Sequence, residues 1–196
     1  ANIQNTNRVF GGANISYGIN DNLNVSYRYG LDVYSENNIN YSNKGGKTGS
    51  LVNRNGIYET WNNTKSIYNH NFNVSGDYDI DDFGITFNVG VDSRSDTFDQ
   101  NGTRSTGQQV FNVLRHFNFE QQDEIQYYEK RNIIGAFAQT EIDYNRYVYL
   151  TLAARKDWVS NLSEENRSII YPSASVSFIP SQAFPEIKSN LLNFVK

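Results

Sequence analysis

The stretch that decides the fold is Phe83-Gly-Ile-Thr-Phe-Asn-Val-Gly-Val-Asp92, in which apolar and polar residues alternate. One side of an extended chain would carry five apolar residues, namely Phe83, Ile85, Phe87, Val89 and Val91. An alternation with a period of two predicts a β-strand with one apolar face and one polar face.

The same alternation returns in six other segments, which we predict as strands 8–19, 23–33, 66–78, 132–144, 148–158 and 169–179. A run at 191–196 looks like the first half of an eighth strand. These strands have roughly the ten to twelve residues that cross a bilayer on a tilt. Strands in soluble sandwiches are shorter, at about five or six residues.

The connections between the predicted strands alternate in length. Short turns are expected at Asn20–Asn22, Asp79–Asp82 and Asn145–Tyr147, and longer stretches at about 36–64, 93–130 and 159–168. Tight turns on one side and long loops on the other are typical of outer-membrane β-barrels. We therefore expect an antiparallel transmembrane β-barrel.

Residue parity agrees with that topology. A hairpin keeps its apolar face continuous only if the turn length matches the parity of the apolar positions. Ile19 facing Leu23 leaves three residues, Tyr78 facing Phe83 leaves four, and Tyr144 facing Val148 leaves three. Aromatic residues cluster beside the short turns, as the interfacial belts of a membrane barrel would require: Tyr17, Tyr78, Phe83, Tyr144, Tyr147 and Phe178.

Composition excludes several classes of protein. There are 17 Lys and Arg against 21 Asp and Glu, so the basic surface of a nucleic-acid-binding protein is missing. Apolar residues reach only 38% and the mean hydropathy is −0.64, which suits a compact soluble core poorly. A soluble extracellular carbohydrate-binding β-sandwich also alternates, but polar faces rich in neutral Asn, Ser, Thr and Gly favour a water-filled lumen.

The segment from Arg131 to Phe184 carries three more specific features. These are an Arg-Asp-Trp strand end (Arg155, Asp157, Trp158), a short Glu165-Asn-Arg167 loop and a Tyr171-Pro-Ser173 strand. Together they resemble the barrel of the SusC/RagA-type TonB-dependent transporters of Bacteroidota outer membranes. The final Leu-Asn-Phe-Val-Lys resembles the start of that family's next strand.

The resemblance implies a 22-stranded barrel in the cell outer membrane, of which this chain would be a single segment of about seven to eight strands. The plug domain and the remaining strands are expected outside these residues. It also implies a SusD-like surface lipoprotein as partner, the TonB–ExbB–ExbD system as motor, and oligosaccharides or peptides as substrates. A non-transport barrel, such as an adhesin or a structural component of a surface complex, is the alternative.

No arrangement of residues predicts an enzyme, a cofactor or a metal site. Asp99-Gln-Asn101-Gly102 matches part of a calcium loop, but Thr97 and Gln108 would then occupy the first and twelfth positions, so the EF-hand spacing fails. His70 is expected on the lipid side near a strand end, and Arg155 with Asp157 is expected to form an ion pair in the barrel wall.

Three aromatic residues are the candidates for substrate contact. Tyr41, Tyr58 and Trp61 lie in the first long connection among polar residues. Aromatic rings in a polar loop can stack on sugar rings, and the alternative is that they pack the loop against its neighbours or a partner subunit.

Overall fold

The computed structural model describes residues 1–47, 49–163, 165, 167–184 and 186. Seven strands dominate: β1 (Asn2–Asn20), β2 (Leu23–Ser42), β3 (Ile57–Ile80), β4 (Phe83–Gln108), β5 (Phe119–Tyr144), β6 (Val148–Val159) and β7 (Ser168–Phe178). Two short helices, α1 (Leu51–Arg54) and α2 (Pro180–Ala183), and a 3₁₀ turn at His116–Asn118 complete the elements. None of the helices in the described residues is long and apolar enough to span a membrane.

The seven strands form one antiparallel sheet in the order β1-β2-β3-β4-β5-β6-β7. The sequence prediction of an all-β, partial β-barrel fold is thereby confirmed. A β-sandwich requires a second sheet facing the first, and the described part of the chain contains a single sheet.

The predicted register is confirmed where β6 pairs with β5, and β7 continues it. Val148 lies opposite Tyr144 on β5 and opposite Phe178 on β7. Leu152 likewise pairs with Thr140 and Ala174. The even-numbered residues therefore share one side of these strands.

The short turns lie close to where the sequence places them. The first two contain only two residues each, at positions 21–22 and 81–82, because β1 and β3 run further than expected. Asp81, Asn145 and Arg146 adopt left-handed φ values of 52°, 48° and 57°. Asp and Asn tolerate this conformation better than other non-glycine residues, and such values are typical of tight hairpins.

The first two long connections are much shorter than expected. β2 extends to Ser42 and β3 begins at Ile57, while β4 extends to Gln108 and β5 begins at Phe119. The connections are therefore 43–56 and 109–118, not 36–64 and 93–130. The third connection, 160–167, is close to its prediction, and the half-strand expected at 191–196 falls outside the described residues.

The described contacts divide the chain into two compact units. The first unit comprises Ala1–Gly11, Leu31–Tyr68 and Ser95–Arg131. It contains the connections 43–56 and 109–118. Gln108, at the end of β4, binds the first connection through two hydrogen bonds. The Gln108 Oε1 accepts from the Lys44 N–H at 2.9 Å, and the Gln108 side-chain amide donates to Asn43. The Asn118 side chain fastens the second connection internally by bonds to the backbone of Val110 and Val113.

The second unit comprises Gly12–Gly30, Asn69–Arg94 and Asn132–Lys196. It contains the three short turns, and several of its large apolar side chains are exposed. Ile15 is 67% exposed and Val176 is 73% exposed. Because burial of such side chains is the main favourable term in folding, this unit presents an apolar surface that needs a covering environment.

Candidate substrate-contact face

The first unit has a polar face built from side chains that reach across β2, β3 and β4. In one row, Asn63 donates to Glu36 at 3.0 Å and accepts from the Gln100 amide at 2.9 Å. The three residues belong to three successive strands, so their side chains lie on the same side of the sheet. We name this side the cross-strand face.

A second row crosses the same strands nearer the long connections. Asn40 donates to Glu59 at 2.7 Å, and the Arg104 guanidinium lies 3.2 Å from the other carboxylate oxygen of Glu59. Glu59 is thus held from both neighbouring strands.

Trp61 lies between these two rows. The pairs Asn40–Glu59 and Glu36–Asn63 fix the register of β2 against β3, so Asn38 lies opposite Trp61. On the other side is Gly102 of β4: a Cβ there would come within 2.5 Å of the Trp61 Cβ. The two strands approach too closely at this point for any larger residue.

Asn38 is 7% exposed, and its side-chain nitrogen has no hydrogen-bond partner among the described residues. Buried polar groups are nearly always paired, so an unpaired donor on a polar face needs an explanation. This is the most unusual polar group on the cross-strand face.

Other charges of the first unit are also paired between strands. Arg8 binds Asp32 through two hydrogen bonds of 2.8 and 2.6 Å, and Arg131 lies 2.8 Å from Asp96. Because these paired cations and carboxylates neutralise one another locally, they contribute little net electrostatic field.

A separate cluster fixes the 3₁₀ turn to β3 and β4. The His116 imidazole lies 2.8 Å from the Thr60 hydroxyl through Nε2 and 2.8 Å from the Ser105 hydroxyl through Nδ1. Its ring also contacts that of Tyr58 at 4.7 Å. Burial lowers the pKa of His116 below its usual 6.5. Ser105 is fully buried, so a nucleophilic role is excluded on access alone.

The three aromatic candidates lie on strands and not in a loop, which corrects the sequence interpretation. Tyr41 is on β2, while Tyr58 and Trp61 are on β3. Tyr58 is 7% exposed and packs against Phe119 with ring centroids 6.1 Å apart, as the packing alternative requires. Tyr41 and Trp61 are half-buried.

The ion pair expected of Arg155 and Asp157 is confirmed in the second unit. The Arg155 guanidinium lies 2.7 Å from Asp157 and binds both oxygens of Asp92 at 2.8 and 3.1 Å. Sequence reasoning missed Asp92 as a partner. The available signal was its position in the sequence. Asp92 is the charged residue that directly follows Val91 on the polar side of the alternating run in β4.

Aromatic rings form a continuous row beside the short turns of the second unit. Ring centroids lie 5.1 Å apart for Phe83 and Tyr144, 5.5 Å for Tyr144 and Tyr147, and 6.3 Å for Tyr147 and Phe178. The clustering predicted from the sequence is present. Beyond this row lies a shallow apolar hollow lined by Phe87, Val89, Ala138, Leu152 and Ala174.

The remaining sequence candidates have local partners. His70 is exposed and lies 2.7 Å from the Tyr27 hydroxyl. The Asp99–Gly102 segment lies within β4 and not in a loop, and Asn101 donates to Asp99 at 2.6 Å. Within the described ranges, no group of three or more His, Cys, Asp or Glu side chains could hold a metal ion.

Comparison with solved structures identifies the fold. The RagAB peptide transporter superposes with a TM-score of 0.80 at 13% identity, over 96% of this chain and 22% of that one. The chain has the fold of part of the RagAB β-barrel. The SusC/RagA-type resemblance stated from the sequence is confirmed at the level of the fold.

Two further structures support this assignment. The RagAB peptide importer in the "open-open" state gives a TM-score of 0.73 at 14% identity, over 95% of this chain and 21% of that one. The siderophore receptor PiuA from Acinetobacter baumannii gives 0.52 at 12% identity, over 90% and 29%. The chain thus spans about a fifth of the RagAB chain. No family model matches the sequence. No curated protein matches it either.

Proposed function

We propose that this chain is one segment of the β-barrel of an outer-membrane TonB-dependent importer of oligosaccharides or peptides. The barrel works with a SusD-like surface lipoprotein and is driven by TonB–ExbB–ExbD. The plug and the remaining strands belong to other parts of the same protein. The chain itself performs no chemistry on the substrate and forms the wall past which the substrate moves.

The observation that carries this proposal is the fold shared with RagAB over 96% of the chain. RagAB is described as a peptide transporter, and its structures include "open-open" and "closed-closed" states. All three RagAB structures carry the name of a peptide transporter or importer, which favours transport over an adhesive or purely structural role for this fold.

The apolar surface of the second unit supports the membrane location. Ile15, Leu152 and Val176 are exposed on strands whose alternate residues are polar. The ring row from Phe83 to Phe178 resembles the aromatic girdle that flanks the lipid-facing band of outer-membrane barrels. Lipid is the environment that would cover such a surface.

The experiment is a transport assay on the full-length protein. Cells that express it are compared with an isogenic tonB deletion strain for uptake of labelled oligosaccharides and peptides, and membranes are fractionated in parallel. We expect recovery in the outer membrane and uptake that requires TonB. Outer-membrane recovery without TonB-dependent uptake of any compound would support the adhesin or structural alternative, and recovery in the aqueous fraction without detergent would contradict the membrane location.

A further inference from the structure

The buried Asn38 amide, and Trp61 opposite it in the β2–β3 register, carry an inference about how ligand is recognised. Asn38 on β2 is 7% exposed, and its side-chain nitrogen finds no hydrogen-bond acceptor among the described residues. An unpaired buried donor destabilises the folded state, because the group loses water and gains no bond in return. A ligand oxygen that accepted this hydrogen bond would remove that cost.

The neighbours of Asn38 on the cross-strand face include an aromatic residue. Trp61 lies opposite it in the β2–β3 register, between the Glu36–Asn63 and Asn40–Glu59 pairs. Gly102 on the far side has no side chain, and the β3 and β4 backbones are close there. Trp61 is therefore an aromatic residue on a face otherwise held by hydrogen bonds.

The charges around this point favour an uncharged ligand. Glu59 is bound by both Asn40 and Arg104, and Glu36 is bound by Asn63. A charged ligand would have to break a pair already made, whereas a hydroxyl or carbonyl oxygen needs only one donor. An aromatic ring adds affinity for the apolar side of such a ligand.

We propose that Asn38 and Trp61, neighbours on the cross-strand face, form one ligand subsite, in which the Trp61 ring stacks on an uncharged ligand while a ligand oxygen accepts a hydrogen bond from the Asn38 amide. This inference rests on the proposed function, which makes the cross-strand face part of the substrate path. The shared ligand chemistry is an acceptor oxygen beside an apolar surface, and a neutral sugar or a peptide main chain supplies it.

The test is calorimetric titration of the full-length protein in detergent with three probes. These are maltoheptaose, a hexapeptide of alternating Ala and Gly blocked at both ends, and the same peptide with free charged termini. At least one neutral probe should bind, and if the blocked peptide binds, it should bind more tightly than the free one. Saturation by maltoheptaose alone assigns a sugar, and saturation by the blocked peptide alone assigns a peptide main chain. Absence of binding by both neutral probes would overturn the proposal.

Two variants separate ligand contact from structure. Trp61→Ala should weaken binding of the neutral probe about threefold to tenfold, with Trp61→Phe between it and the wild type. Asn38→Ala should weaken binding by a similar factor and leave the melting temperature equal or higher, because it removes an unpaired donor.

Asn40 provides the matched control on the same strand and face, because its amide is satisfied by Glu59. Asn40→Ala should lower the melting temperature. If Asn38→Ala lowers it as much as Asn40→Ala does, the Asn38 amide is structural and the proposal is wrong. Uptake that requires TonB but is unchanged in Trp61→Ala would overturn this inference and leave the proposed function intact.

Discussion

Leu152 tests which side of the sheet meets lipid. It is 42% exposed, lies four residues from Val148 beside the aromatic row, and pairs with Thr140 and Ala174. Four residues span about 13 Å along a strand. At the usual barrel tilt of about 40°, Leu152 lies about 10 Å from the girdle, close to the middle of an apolar band about 25 Å tall.

Leu152→Arg should therefore lower the free energy of unfolding by about 2–4 kcal/mol, the cost of a cationic side chain at the bilayer midplane. Ala153→Arg is the matched control, because Ala153 points the other way and pairs with the polar Gln139 and Ser173. A lumen-facing arginine keeps its water, so we expect a change of about 0.5 kcal/mol or less at that position.

The assay is reversible unfolding by denaturant of the full-length protein in phospholipid vesicles, followed by tryptophan fluorescence and by the gel-mobility shift of the folded barrel. The two substituted positions are adjacent, so any effect of a new arginine on expression or refolding yield applies to both variants. Equal destabilisation by Leu152→Arg and Ala153→Arg, or a larger effect of Ala153→Arg, would refute the assignment of the even-numbered side of β6 to lipid.

Three further predictions follow from other contacts. Arg155→Ala should lower the free energy of unfolding by about 1 kcal/mol, a small effect because its ion pairs are partly exposed and screened by solvent. Adding Asp92→Asn and Asp157→Asn to this variant should recover most of the lost stability. If it does not, repulsion between the two carboxylates is not the cause of the loss. Because burial lowers the folded pKa of His116 below 6.5, the unfolded state binds more protons, so the stability of the 109–118 connection should fall as the pH drops through 6.5 toward the folded pKa. Hydrogen exchange of that connection at pH 7 and pH 5.5 measures this fall, which should be absent in His116→Gln. Gly102→Ala should lower the melting temperature, because its Cβ would meet the β3 backbone; an unchanged melting temperature would show that the strands can separate there.

Alternation predicted most of the second unit. The run from Phe83 to Asp92 alternates because each strand there has one apolar and one polar face, and β6 pairs with β5 in the expected register. Turn positions also followed from local residue types. The Arg155–Asp157 contact was predictable because residues two apart on a strand share a side.

The extensions of β2 to β5 in the first unit could not be predicted in the same way. From Ser93 to Gln108 the residues on both sides of β4 are largely polar, so no apolar period marks a strand, although backbone pairing continues. A polar run without alternation is indistinguishable from a loop by pattern alone. The polar sequence around Tyr41, Tyr58 and Trp61 likewise predicts a connection, and it gives no sign of the cross-strand face.

The cross-strand pairs themselves depend on long-range register. Glu59 meets Asn40 and Arg104 only because β2, β3 and β4 align over the whole first unit. Nothing in the local sequence around Glu59 identifies those partners. The unpaired donor of Asn38 cannot be predicted from the sequence either, because Asn38 differs from the neighbouring asparagines only in the groups that surround it in the fold.

Alternate residues of β6 should face lipid and water, and the chain contains no cysteine that would interfere with site-specific labelling. The measurement places single cysteines at Leu150, Thr151, Leu152 and Ala153 of a cysteine-free full-length protein in vesicles, each carrying a nitroxide label. Collision rates with oxygen and with a water-soluble nickel chelate are then compared. We predict that oxygen dominates at Leu150 and Leu152 and nickel at Thr151 and Ala153. Equal access to the nickel chelate at all four positions, or the opposite alternation, would contradict the account.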